Sequence, residues 1–177
     1  MSDDFNPKLT FEFSNSKSLF ENLLEEYSDF DKQPLKSRFA MNCAINSWHL
    51  TDWTFQEFYK SDEKFQDKES VDKKGKSNFI SGIMLYQQYL TKLCPELEFM
   101  RLITNGTKHC ILKDKNRTES TEIKIGDFNN SDWSRHDFDV TRFIIKIDEN
   151  NSFDFERTLL KTIKFWKEFL NNAKQTN

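Results

Sequence analysis

Residues 35–59 read LKSRFAMNCAINSWHLTDWTFQEFY, and the reading of this stretch decides the fold. Phe39, Ala40, Cys43, Ala44, Trp48, Trp53 and Phe58 spread apolar groups over most of a helical circumference. A helix that is apolar nearly all round belongs at the centre of its domain. The spacing therefore predicts a central helix over about 35–59, with the other helices packed around it. Pro34 suits the first turn, where a missing N–H is not needed. A polar series interrupts the apolar surface. Arg38, Asn42, Asn46, His49, Asp52 and Gln56 recur every three or four residues, so they line up along one side.

Working outward, Leu9, Phe11 and Phe13 alternate with polar residues as a half-buried strand would. Ser14 or Ser16 can cap a helix that runs to about Phe30, with Leu19, Phe20, Leu23 and Tyr27 on its apolar side. After the central helix, KSDEKFQDKESVDKKGKS (60–77) is charged and reads as an exposed loop. A third helix is expected over 78–93, carried by Phe79, Ile83, Tyr86 and Leu90. Pro95 heads a fourth, carried by Leu97, Met100 and Ile103, with Gly106 weakening its last turn. The period then changes to two. HCILK (109–113), TEIKIGDF (121–128) and RFIIKID (142–148) read as strands between polar connectors. Residues 153–172 return to an amphipathic helix. The expected fold is mainly α. It is a single domain over 1–177, a bundle of about five helices with a small antiparallel β insert at about 110–148, before the C-terminal helix.

Composition agrees with that class. Only four Gly and three Pro in 177 residues argue for helices over a turn-dense sandwich. The net charge of -3 supplies no global basic field, so any nucleic-acid contact has to come from a local patch. Cys43, Cys94 and Cys110 are an odd count without zinc-site spacing, which favours buried reduced thiols. No apolar run is long enough to span a membrane, and the opening MSDDFNPKL is too acidic for a secretory leader. A cytoplasmic protein is expected.

A second polar row accompanies the first: Arg101, Asn105, Lys108 and His109 on the fourth helix. A buried polar group without a partner costs about 1–3 kcal/mol, so such rows must satisfy one another or line a wet cleft. In the first case Asp52 accepts from Arg101, Lys108 or His109, and the cluster is a buried structural network in a non-catalytic protein-interaction module. In the second, the groups suit metal-free phosphodiester cleavage, most plausibly of RNA. Histidine titrates in the range needed to take a 2′-hydroxyl proton. Arg101 and Lys108 would balance charge on the phosphorus, Asn105 would orient the phosphate or a histidine, and His109 would act as base or acid. His49 would be the second proton-transfer group, and Asp52 would hold a tautomer. His49, Asp52 and His109 also make a two-histidine, one-carboxylate set. Lys108 beside them disfavours a dication, and no metal or cofactor is expected. Two further candidate partner surfaces are DFNNSDWSRHDFD (127–139), with Trp133 and His136, and the strand edge of the β insert.

The stretch RLITNGTKH, Arg101–His109, resembles the arginine-to-histidine signature near the end of a late helix in HEPN-like helical domains, with a longer spacing. WHLTDW (48–53), NGTKH (105–109) and FWKEFL (165–170) together also look like a group of small bacterial proteins whose activity is not known. The HEPN-like resemblance implies a helical bundle, a homodimer in which two histidine helices meet, metal-independent cleavage of RNA, and a toxin or defence role with an antitoxin as protein partner.

Overall fold

Asn15 starts the first helix. In the computed structural model, which describes residues 10–71, 77–108, 120–127 and 140–173, its side-chain oxygen accepts the Ser18 N–H at 2.8 Å. The Ser18 hydroxyl accepts the Asn15 N–H in return, closing a capping box on α1 (Ser16–Lys32). The cap is thus Asn15 rather than either neighbouring serine. Glu57 adds a cap from far along the chain, its carboxylate accepting the Ser16 N–H at 2.7 Å. The expected strand over 9–13 is absent from the described residues 10–13. Thr10 and Phe13 close a turn by a backbone hydrogen bond, and Phe11 sits exposed at φ 52.

The central helix is α2 (Ser37–Thr54), which continues through a π-helical turn, Phe55–Tyr59. Pro34 falls in the connecting turn before it, outside the helix. α2 is flanked by all four other helices. It packs along α1, and Ala44 O accepts the Thr104 hydroxyl of α4 (Glu96–Lys108) at 3.3 Å. Toward α5 (Phe155–Ala173), the Trp166 indole N–H donates to Ser47 O at 3.0 Å, and Ser47 bonds Thr162. Toward α3 (Gly82–Leu93), Tyr86 donates to Thr54 at 3.0 Å. The π turn swings Tyr59 onto the Tyr86 ring, 5.0 Å between centroids. Cys43 and Cys94 are buried free thiols; desolvation pushes Cys43 up to about 12 and, with Glu96 adding, Cys94 up to about 11. Both are therefore unreactive near neutral pH.

The charged run after α2 is not simply a loop. A short 3-10 turn at Glu63–Phe65 buries Phe65 among the Tyr59, Tyr86 and Tyr89 rings. β1 (Lys68–Val71) and β2 (Ser77–Ile80) then pair antiparallel, so α3 begins four residues later than the sequence suggests. Pro95 likewise precedes α4 in a turn.

The insert before α5 is a three-stranded antiparallel sheet in the order β3 (Ser120–Lys124), β4 (Arg142–Lys146), β5 (Ser152–Asp154). β5 takes up the start of the expected last helix, and Asp154 caps α5 by accepting the Arg157 N–H at 2.8 Å. Register puts Thr121 opposite Ile145, Ile123 opposite Phe143 and Ile145 opposite Phe153, which gives one apolar face turned to the helices. The other face carries ion pairs, Lys146–Glu122 at 3.6 Å and Arg142–Asp154 at 3.3 Å. HCILK, Cys110, His109, Trp133 and His136 lie outside the described residues.

Candidate functional site

α2 and α4 run antiparallel. Met41 lies beside Gly106 and Thr107, Ala44 bonds Thr104, and Trp48 lies beside Arg101. Position around each axis follows from about 100° per residue. On α2, Ser47 points at α5, and His49 and Asp52 fall on nearly the opposite side. On α4, Phe99 meets Phe153 of β5 at 4.8 Å, and Arg101 falls on nearly the opposite side of that helix, with Asn105 and Lys108 along the same row. By this spacing both polar rows point away from α5 and the sheet.

Burial is where the structure departs from the sequence reading. His49, Asp52 and Lys108 are exposed, and Arg101 and Asn105 are half-buried. Being exposed, His49, Asp52 and Lys108 are not buried in a network among the described residues. Arg101 instead donates through Nε and Nη2 to the Glu98 carboxylate one turn back, at 2.8 and 2.5 Å. Asn42 turns to α1 and donates to Glu26 at 3.1 Å, and Arg38 lies over its own neighbour Phe39. Asp52 leans back toward His49. Although the residue is exposed overall, desolvation holds its carboxyl above the usual carboxylate range, with His49 pulling the other way.

Alignment along the seam fixes which residues are level with one another. Arg101 is level with Trp48 and His49. Lys108 is level with Met41, about 12 Å farther along α2 at 1.5 Å per residue. His49 and Asp52 share one row of α2, and Arg101, Asn105 and Lys108 share one row of α4; His109 is outside the described residues.

Beside the Arg101 end lies a cleft of about 240 Å3 lined by Trp48, Met84, Gln87, Gln88, Thr91, Glu98 and Arg101. The sequence reading did not single out Glu98 or the two glutamines. The signal for Glu98 was present, because an acid three residues before Arg101 sits on the same helix face. The α3 residues carried no such mark.

Comparison with family models, curated proteins and solved structures finds no match to this chain. Among the described residues, no helix is long and apolar enough to cross a membrane.

Proposed function

We propose that the chain is a HEPN-like, metal-independent ribonuclease, a toxin or defence component, working at the exposed face of the α2–α4 seam. One observation carries the reading: His49, Asp52 and Lys108 are exposed, and helical spacing puts His49 and Asp52 in one row on α2 and Arg101, Asn105 and Lys108 in one row on α4. Burial would have marked His49 and Asp52 as members of a structural network. In the proposed reaction one histidine takes the proton of an RNA 2′-hydroxyl, whose oxygen then attacks the adjacent phosphorus. The bond from phosphorus to the 5′-oxygen breaks, and the second histidine protonates that oxygen. The products are a 2′,3′-cyclic phosphate and a 5′-hydroxyl. Asp52 orients His49 for its proton transfer, and His109 is the other proton-transfer group. Arg101, exchanging Glu98 for phosphate, and Lys108 offset the developing negative charge, while Asn105 holds a phosphate oxygen. An antitoxin-type protein and a second copy of the chain are the proposed partners.

The test uses a single-stranded RNA oligonucleotide in excess EDTA. Cleavage yielding cyclic-phosphate ends is expected, with none at a position made 2′-deoxy. Cleavage of the 2′-deoxy site, or strict dependence on a divalent metal, rules the mechanism out.

A second reading is a non-catalytic interaction module. Its support is an apolar groove away from the polar face, in two adjoining hollows of about 400 and about 270 Å3. Met41, Ile103, Ile123 and Phe143 line it, and Ile123 is 53% exposed on the edge strand β3. This reading expects partner binding that depends on Ile123 and is indifferent to His49.

A further inference from the structure

We infer that the cleft between α3 and the start of α4 binds one unstacked nucleobase of single-stranded RNA, next to the bond the His49 end would cut. The inference rests on the ribonuclease reading and adds its substrate recognition. Position is the first support. Arg101 and Trp48 both line the cleft, and Trp48 is the neighbour of His49 in the chain. A strand whose phosphate lies against Arg101 has its adjoining base within reach of the cleft.

The lining chemistry is the second support. A base needs apolar contact on its faces and hydrogen-bonding groups around its rim. Trp48, 7% exposed, and Met84, 48% exposed, supply apolar surface. Gln87, Gln88, Thr91 and Glu98 supply the rim. Gln87 is held in place, its amide donating to the Thr51 hydroxyl at 3.0 Å, which leaves its side-chain carbonyl as an acceptor. Thr91 donates to the backbone carbonyls of Gln87 and Gln88 one turn back, at 3.1 Å each, which leaves its hydroxyl oxygen to accept. A rim with both amide donors and acceptors can pair with the polar edge of an unstacked base.

Two measurements on the full chain test this. The first maps cut sites in a mixed-sequence single-stranded RNA. Wild type is expected to cut with a base bias beside the scissile bond. Gln88→Ala should reduce that bias about tenfold, the selectivity of one base-edge contact. Met84→Trp, which fills the cleft from an exposed position, should raise KM and leave kcat little changed. Cleavage without base bias, or bias unchanged in both variants, overturns the inference. The second measurement titrates each of the four ribonucleoside monophosphates by calorimetry without any cleavage. Saturable binding weakened by Met84→Trp supports the cleft even if RNA is not cut, in which case the ribonuclease reading alone falls. Binding that is absent, or unaffected by Met84→Trp, overturns the cleft.

Discussion

Replacing Gly82 with alanine should damage the fold, and the same change at Gly106 should strengthen it. Gly82 opens α3 where the chain passes close to the preceding 3-10 turn. A Cβ there would lie 1.9 Å from Phe65 O and 3.0 Å from its carbonyl carbon, both backbone atoms that cannot rotate away. Relief requires the first turn of α3 to recoil by more than an ångström. That movement breaks the bond from Gly82 N–H to the Asp67 carboxylate, 2.7 Å long, and such a bond to a charged group contributes about 1.5–3 kcal/mol. It also loosens Phe65 from its ring of tyrosines, at a further cost of about 1 kcal/mol. Against this, alanine restrains the unfolded chain and stabilises by about 0.4–1 kcal/mol. The net expectation is a loss of about 2–3 kcal/mol. At Gly106, inside α4, nothing lies within 4 Å of the added Cβ, so only the favourable effects remain, about 0.5–1 kcal/mol. Urea unfolding followed by circular dichroism reads both variants. Gly82→Ala within about 0.5 kcal/mol of wild type would show that the close approach is not tight, and the placement of α3 argued above would fail with it.

Three further outcomes follow from the same contacts. Trp166→Ala removes a fully buried indole and its bond to Ser47, and should cost about 3–5 kcal/mol in urea unfolding. Asp52→Asn should stabilise the protein more at neutral than at acid pH. The folded carboxyl titrates above its unfolded value, so its ionisation disfavours the native state once pH rises past about 4. Melting temperatures of both proteins at about pH 3 and about pH 7 check the sign, and a larger gain at acid pH contradicts it. His49→Ala, at an exposed position, should leave stability within about 0.5 kcal/mol, measured in the same way.

Helix periodicity was enough to identify α2 and α5, because Trp48, Trp166 and their apolar neighbours repeat over many turns. The β1–β2 hairpin was not legible. KESV and SNFI together hold only Val71, Phe79 and Ile80 as large apolar residues, so period-two alternation never emerges from the surrounding charge. Phe65 was the overlooked sign, a lone aromatic in a charged run that turns out to be buried. Phe11 misled in the opposite direction, since three alternating residues are too short a pattern to outweigh the turn that Thr10 closes. For the site, His49 and Asp52 lie on α2 and Arg101, Asn105 and Lys108 on α4, while His109 is outside the described residues. Sequence spacing gives an angle about a helix axis, however, and not which side the neighbours cover. The exposure of His49 thus required the packing of the other elements, whereas the pairing of Arg101 with Glu98 follows from i,i+3 spacing within α4. The cleft was out of reach, because Gln87, Gln88 and Glu98 come from two helices whose juxtaposition no local pattern encodes.

The measurement that bears most directly on the whole account is the initial rate of RNA cleavage in EDTA by His49→Ala against wild type. Proton transfer through the imidazole at the Arg101 end predicts a fall of about 100-fold or more with the fold intact. An unchanged rate in a well-folded variant would remove His49 from the chemistry and the exposed α2–α4 face from its role.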